Sequence, residues 1–207
     1  MHDKMCEWYK IQEVHFRDYV ECLAPLYKVL EEHTASTNQT DIFLKRSYLA
    51  FTGKTEEDWE SEQKQISFHR LLSMKMGDFH EELMGKLPAY ETLPQKHSSK
   101  CDVRSKDETE YIEVKNNDTT MNSDSAKSVI GKLFDMIQKG KHAILILVNS
   151  LSPTTPRFGA HPEIEVMNGK KGYAHLSGRE DFYEDLLETL DYTFKNFKTY
   201  RQLQEIA

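Results

Sequence analysis

The sequence predicts an α/β fold in which helices sandwich one mixed β-sheet. Residues 143–148 (AILILV) form a continuous apolar run, which is typical of a strand buried on both faces of a sheet. Residues 110–116 predict a second strand, and an amphipathic helix pattern lies between the two. A strand, a helix and a strand in this order indicate a right-handed crossover between parallel strands. A chain of 207 residues is long enough to bury such a core as a single domain.

Residues 1–66 predict a helical N-terminal region. Its first segment has apolar residues at roughly helical spacing, and we expect Pro25 to end or kink it. Asp41 begins a short amphipathic helix that ends near Gly53, and Thr55 caps a further helical run. The apolar residues of the first segment are Trp8, Ile11, Phe16, Tyr19, Leu23, Leu26 and Leu30.

Residues 67–148 predict the central core of the domain. A helix with one apolar stripe is closed by Pro88, and two short strands follow at residues 100–104 and 110–116. A second helix then precedes the buried strand, so the core alternates between the two kinds of element. The stripe of the first helix consists of Leu72, Met76, Phe79, Leu83 and Leu87, and the second helix has Val129, Ile130, Leu133, Phe134 and Ile137 facing a core.

Turn and capping residues set the ends of the later elements. Asn122 or Ser123 caps the second core helix, and Gly140 is a natural stop for it. In the tail, residues 149–207, we expect a strand or hairpin that turns at Asn168-Gly169. A long helix then starts from Ser177 and carries Phe182, Leu186, Leu187, Leu190 and Phe194.

Charge and cysteine content limit the class of protein. The net charge of −7 argues against a passive nucleic-acid-coating protein, which is expected to be basic, although an acidic chain can gather basic residues in one cleft. Cys6, Cys22 and Cys101 are odd in number and lack C-x-x-C spacing, which favours a reducing compartment over a disulfide framework or a structural zinc site. A charged N-terminus and the lack of a long apolar run predict a cytoplasmic protein with no membrane partner.

Three charged residues around the predicted strands form a candidate metal site. Residues two apart in a strand share a face, so Glu113 and Lys115 point the same way. If residues 100–104 pair with this strand, Asp102 can meet Glu113. Two adjacent carboxylates repel each other, and a magnesium ion relieves that repulsion because it prefers oxygen ligands. Lys115, on the same face, can then stabilise negative charge on a reacting phosphate.

The bare D-x10-E-x-K spacing is a weak signal, because charged residues make up 29% of the chain. The alternative is a solvated strand with an aspartate in the preceding turn. The surrounding pattern favours a catalytic site, since a helix precedes Asp102 and the motif strand leads into a helix and a buried parallel strand. The loop after Lys115 is also rich in side chains that form hydrogen bonds.

Two further segments resemble those of a known family. Residues 77–85 (GDFHEELMG) contain a Gly-x-Phe-His run, and residues 113–116 (EVKN) lead into residues 120–123 (TMNS). With these segments, the chain resembles the PD-(D/E)xK nucleases, and within them the type II restriction endonucleases that cut short interrupted GG/CC sites such as GGNCC. The core of that superfamily is a helix, three strands, a helix and a strand, which matches residues 67–148. The first 55 residues match no pattern of the family.

The resemblance implies a role for each motif residue. Asp102 and Glu113 would bind Mg²⁺, for which Mn²⁺ can substitute, and the Val114 carbonyl would be a third ligand. Lys115 would be the catalytic lysine. Cys101 stands where the superfamily motif has a proline.

The superfamily often adds a glutamate from the preceding helix, and two adjacent residues qualify. At about 100° per residue, Glu82 lies roughly 100° from the centre of the apolar stripe and Glu81 roughly 160°. We expect Glu82 to assist the metal site, because an edge position can face along the sheet whereas the far side faces water.

Polar residues on two segments are predicted DNA contacts. Asparagine side chains can read adenine, and amides at a helix N-terminus favour a phosphate. Arginine and lysine bind guanine edges and phosphates. The alternative for residues 116–122 is a loop that caps the following helix. The alternative for Arg157, Lys170 and Lys171 is a place on the solvent-exposed surface without a DNA contact. The predicted contacts are Asn116, Asn117, Asp118, Thr119, Thr120, Asn122, Arg157, Lys170 and Lys171.

The sequence therefore predicts a sequence-specific, magnesium-dependent endonuclease that acts on double-stranded DNA. As the resemblance implies, a two-fold homodimer would read a palindromic site and leave 5′-phosphate ends, and a cognate DNA methyltransferase would protect host DNA. A repair or recombination nuclease on the same core is one alternative, although the Gln-x-x-x-Tyr run of some such enzymes is missing after Gln138. A non-catalytic α/β module that binds DNA or protein is the other.

Overall fold

The computed structural model describes residues 7–32, 41–94, 96–116, 121–150, 158 and 161–207. None of the helices in these ranges is long and apolar enough to cross a membrane. The helices are α1 (Phe16–Glu32), α2 (Ile42–Thr52), α3 (Glu56–Gly85), α4 (Ser123–Gln138), α5 (Gly169–Ser177), α6 (Phe182–Asn196) and α7 (Tyr200–Gln204). The strands are β1 (Tyr90–Thr92), β2 (Val103–Ser105), β3 (Glu110–Lys115), β4 (His142–Leu147) and β5 (Glu165–Asn168).

The described strands form one mixed sheet in the order β1-β2-β3-β4-β5. The pairs β1–β2 and β2–β3 are antiparallel, whereas β3–β4 and β4–β5 are parallel. Helix α4 connects β3 to β4, so the predicted strand–helix–strand crossover is confirmed. Residues 143–148 are all buried, as the apolar run predicts. The α/β fold with helices flanking a mixed sheet is confirmed.

The two faces of the sheet pack against different helices. Ile112 and Val114 of β3 lie in the core that α1, α3, α5 and α6 complete, whereas Tyr111 lies in the core formed with α4. Because side chains alternate along a strand, Glu113 points to the same side as Tyr111. The motif strand therefore carries apolar residues into one layer and its carboxylate toward α4.

Helix α1 does not end at Pro25, which lies inside it. Leu23 and Leu26, on either side of the proline, have no solvent exposure, so burial of the apolar face outweighs the hydrogen bond that proline removes. Trp8 and Ile11 lie in turns before the helix, which corrects the expectation that they belong to it.

The predicted helix ends around α2 and α3 are confirmed. The Asp41 carboxylate accepts a hydrogen bond from the Leu44 amide at 3.0 Å, and Gly53 ends α2 with φ +67°. Thr55 begins α3 with a reciprocal capping box that involves Asp58. The helix then continues without a break for 30 residues.

The predicted hairpin at Asn168-Gly169 is wrong, because β5 leads directly into α5. The Asn168 side chain accepts a hydrogen bond from the Lys171 amide at 3.0 Å and so caps that helix. Gly169 begins it, where a Cβ atom would lie 2.3 Å from the Val148 carbonyl oxygen. The long helix that was expected from Ser177 is present as α6, but it starts at Phe182, because Gly178, with φ +72°, separates it from α5.

Candidate active site

The antiparallel pairing of β2 and β3 brings Asp102 beside the motif strand. Val103 lies opposite Ile112 in the ladder, and the Asp102 amide donates to the Ile112 carbonyl at 3.0 Å. The Asp102 carboxylate in turn accepts a hydrogen bond from the Val114 amide at 2.9 Å. Its side chain is therefore held over the end of β3, as the sequence spacing suggested.

The Lys115 ammonium is the point on which three predicted metal ligands converge. Its Nζ atom lies 2.6 Å from Glu113 Oε1, 3.2 Å from Asp102 Oδ2 and 2.7 Å from the Val114 carbonyl oxygen. All three are hard oxygen donors around one positive charge. The ammonium thus stands where a cation bound by these oxygens would lie, and the donor set fits magnesium.

Glu113 has no solvent exposure, which makes its charge dependent on its neighbours. Burial raises the pKa of this carboxyl, and Asp102 raises it further, whereas Lys115 and Lys132 lower it. Within the described residues, neither carboxylate oxygen has a well-aligned hydrogen bond, so both depend on the two ammonium groups. Buried carboxylate oxygens in this state are suitable ligands for a divalent cation.

The charge of Lys115 is stabilised by the same carboxylates. Burial alone would lower the pKa of its ammonium, but Glu113 and Asp102 outweigh burial and raise it to about 12. In the ranges that the structure describes, no three His, Cys, Asp or Glu side chains form a ready-made metal centre. The candidate metal ligands are instead the carboxylates of Asp102 and Glu113 and the Val114 carbonyl.

The structure places Glu81, and not Glu82, next to this cluster. Burial and then the Asp102 carboxylate raise the pKa of Glu81 to about 7, and Glu81 lines the same cleft as Lys115. Glu82 lies on the other side of α3, where the Thr92 hydroxyl donates to it at 3.4 Å. The expectation for Glu82 is thus not met by the geometry.

The reason is the width of the buried face near the end of α3. His80 and Met84 are buried as well as Phe79 and Leu83. With those positions included, Glu81 and Glu82 lie about 130° from the centre of the buried face on opposite sides. The position of the sheet alone therefore decides whether Glu81 or Glu82 points toward the cluster.

An open cleft of about 500 Å³ runs past Lys115. Its α3 wall uses residues spaced three or four apart, which is one helical stripe. Arg70 and Ser73 were not among the predicted site residues. They lie three residues apart, and Gly77 and Glu81 follow at steps of four, which already places all of them on the same face of the helix. The cleft is lined by Arg70, Ser73, Met74, Gly77, Asp78, His80, Glu81, Val114, Lys115, Asn116 and Val148.

Asn116 joins the ends of β3 and β4 to the middle of α3 at this cleft. Its side-chain oxygen accepts a hydrogen bond from Asn149 at 2.9 Å, and its amide nitrogen donates to the Ser73 carbonyl at 3.1 Å. Asn122 caps α4, because its side-chain oxygen accepts the Ser125 amide at 2.8 Å. Asn122 is therefore a helix-capping residue, which was the alternative to a DNA contact, whereas Asn116 lies in the cleft.

Other predicted DNA contacts are more distant or outside the described ranges. Lys170 and Lys171 lie in the first turn of α5, and Lys170 forms an exposed ion pair with Glu184 at 2.5 Å. Helix α5 starts at the edge where the parallel strands β3, β4 and β5 end, so both lysines lie along the same edge as Asn116. Asn117, Asp118, Thr119, Thr120 and Arg157 lie outside the described residues.

His80 is a packing residue at the wall of the cleft. Its Nδ1 atom lies 2.8 Å from the Tyr173 hydroxyl, and its ring is buried. Burial lowers the pKa of this imidazole to about 4. The neutral ring therefore contacts α5 and holds α3 against it.

Comparisons with known proteins show which chains this sequence resembles. A family model described as Eco47II restriction endonuclease matches residues 10–198. The match includes most of the first 55 residues, which corrects the expectation that this part of the chain lies outside the family pattern. The chain is also 26% identical to the type II restriction enzyme Sau96I of Staphylococcus aureus over 195 residues, which covers 82% of this chain and 74% of that enzyme. The predicted resemblance to type II restriction endonucleases is confirmed. The chain belongs to the Eco47II restriction endonuclease family, a family of type II enzymes that cleave DNA at specific sequences.

Proposed function

We propose that the chain is a single nuclease domain that uses magnesium to hydrolyse phosphodiester bonds within a short palindromic site of double-stranded DNA. The products would be 5′-phosphate and 3′-hydroxyl ends. The observation that carries this proposal is the convergence of Asp102, Glu113 and the Val114 carbonyl on the Lys115 ammonium, at the wall of an open cleft.

Asp102, Glu113 and the Val114 carbonyl would hold the magnesium ion, and Mn²⁺ would substitute because it also accepts oxygen ligands. When bound, the ion supplies Lewis-acid polarisation of the phosphate. The Asp102 carboxylate is oriented for this role by the Val114 amide, at 2.9 Å. The buried Glu113 carboxylate is oriented by its ion pairs.

Lys115 would be the catalytic group that contacts the reacting phosphate. Its ammonium lines the cleft and carries a positive charge beside the carboxylates. A cation at this place stabilises the negative charge that grows on the phosphate in the transition state. Glu81, on the α3 wall of the same cleft, would assist the metal site.

DNA contacts would surround the cleft on the side where the parallel strands end. Asn116 lies there, and the residues after it, Asn117, Asp118, Thr119 and Thr120, lead to the N-terminus of α4. Backbone amides at a helix N-terminus favour a phosphate group. We also propose Arg157, Lys170 and Lys171 as contacts, because basic side chains bind DNA phosphates and guanine edges.

A palindromic site implies a two-fold homodimer, in which each subunit cuts one strand. We propose this assembly, with a cognate DNA methyltransferase that protects host DNA in the same cytoplasm. The negative charge of the whole chain then requires that its positive side chains act locally, as Lys115 does at the cleft.

The experiment is incubation of the purified chain with unmethylated plasmid or phage DNA of mixed sequence, in magnesium and in EDTA. Discrete fragments that require magnesium, and whose ends map to one palindrome, are the expected result. Asp102→Asn is the matched inactive variant. A smear of fragments would instead indicate a repair-type nuclease, and no cleavage by folded protein would contradict the proposal.

A further inference from the structure

Lys132 of α4 contacts both segments that carry the proposed metal ligands. Its Nζ atom lies 2.5 Å from Glu113 Oε2, and it donates a hydrogen bond to the Lys100 carbonyl at 2.9 Å. Its side chain is only 18% exposed. Lys132 is therefore a largely buried cation that reaches the motif from the helix layer, whereas Lys115 lines the cleft.

The two lysines hold opposite oxygens of one carboxylate. Lys115 lies 2.6 Å from Oε1 of Glu113, and Lys132 lies 2.5 Å from Oε2. The terminal torsion of a glutamate is otherwise broad, so a carboxylate held at one oxygen can still turn. Contact at Oε2 fixes the orientation in which Oε1 is presented to Lys115.

The second contact of Lys132 fixes the segment that leads into Asp102. Lys100 has φ +58°, a backbone conformation that side-chain-bearing residues seldom adopt without support. Its carbonyl accepts the hydrogen bond from Lys132, and the buried Cys101 lies between it and Asp102. One ammonium group thus joins α4, the segment before β2 and the Glu113 carboxylate of β3.

We propose that Lys132 is a positioning residue for the nuclease reaction. It keeps Glu113 and the Asp102 segment at a fixed separation, and it compensates the charge of Glu113 from the side that faces away from DNA. This inference rests on the proposed function, since it assigns Lys132 a part in presenting the metal ligands. Lys132 is not among the described residues that line the cleft.

The first test compares cleavage by Lys132→Met, Lys132→Arg and Lys127→Met. Lys127 lies on the same helix and is exposed, so its variant is the matched control. We expect Lys132→Met to lower kcat by about 10- to 100-fold, as loss of a group that orients a metal ligand does, with KM for DNA within about twofold. Arginine can still pair with Glu113 and should restore part of the rate. A normal kcat for folded Lys132→Met would overturn the proposal.

A second test needs no cleavage. The melting temperature of the metal-free protein is measured for wild type, Lys132→Met, Glu113→Gln and the double variant. We expect Lys132→Met to lower Tm in wild type but to have little effect, or to raise it, in the Glu113→Gln background, because the partner charge is then gone. An equal loss in both backgrounds would mean that Lys132 serves only general packing, and would overturn the inference.

The two tests separate the inference from the proposed function. If wild-type protein cleaves no DNA, the proposed function fails, and the thermal cycle still decides whether Lys132 acts through Glu113. If Lys132→Met does not fold alone, Lys132→Arg and the double variant with Glu113→Gln provide the comparison.

Discussion

The Lys115 ammonium lies 2.6 Å from Oε1 of Glu113, a carboxylate without solvent exposure. The same ammonium contacts Asp102 and the Val114 carbonyl, so the proposed catalytic lysine holds the oxygens that the proposed metal would bind. Removal of the lysine should therefore separate metal binding from catalysis.

Lys115→Met should abolish cleavage and leave calcium-supported, sequence-specific DNA binding largely intact. The transition-state charge loses its stabilising cation, while the oxygens that bind the divalent ion remain. Cleavage assays and gel-shift titrations in calcium give the two measurements. Loss of DNA binding in parallel with loss of cleavage would contradict the catalytic role of Lys115. Lys127→Met, at an exposed position, is the control and should behave as wild type.

Glu81→Gln and Glu82→Gln form a matched pair on adjacent positions of α3. Because Glu81 lines the cleft beside Lys115 whereas Glu82 faces Thr92, we expect Glu81→Gln to slow cleavage by about tenfold or more. Glu82→Gln should stay within about twofold of wild type. Single-turnover rates in magnesium measure both, and the reverse order of effects would show that Glu82 serves the site after all.

Glu110→Gln should flatten the acid dependence of stability. Burial alone would raise the pKa of Glu110, but hydrogen bonds from Tyr90, at 2.7 Å, and His175, at 3.2 Å, outweigh it and leave the pKa lowered. Because the folded pKa lies below the ordinary value of 4.5, the stabilisation is present above that pH and is lost as pH falls through the folded pKa.

Urea denaturation between pH 6 and pH 3 measures this effect. We expect wild type to lose roughly 1 kcal/mol more unfolding free energy than Glu110→Gln over that window, a value reduced for partial exposure. Glu163→Gln, at an exposed position, is the control and should follow wild type. If the unfolding free energies of wild type and Glu110→Gln fall in parallel with pH, the hydrogen-bonded Glu110 carboxylate does not contribute to the acid dependence of stability.

Gly169→Ala and Gly131→Ala should change stability in opposite directions. A Cβ atom at position 169 would lie 2.3 Å from the Val148 carbonyl oxygen, so α5 must shift from β4, at about 1–3 kcal/mol. Position 131 lies inside α4 with no atom within 4 Å of its Cβ, so alanine should stabilise the helix by about 0.5–1 kcal/mol. Unfolding free energies from urea titrations test both signs. An unfolding free energy of Gly169→Ala equal to that of wild type would mean that α5 lies farther from Val148 than the structure shows.

Local pattern was sufficient for much of the fold. The apolar run at residues 143–148, the cap at Thr55 and the stop at Gly140 each depend on neighbours within a few positions, and the structure has all three. The hairpin at Asn168-Gly169 failed because the same two residues suit a turn and a helix start. Close packing of Gly169 against Val148 selects the helix, and that contact joins distant parts of the chain.

The sequence by itself determined which charged side chains form the candidate site. The spacing of Asp102, Glu113 and Lys115 requires only that two short strands pair, and strand alternation then places the charges together. The choice between Glu81 and Glu82, and the contact of Lys132 with Glu113, were decided only by tertiary structure. A helix offers both of its edges equally, and the packing of α3 and α4 on opposite faces of the sheet determines which side chains reach the motif.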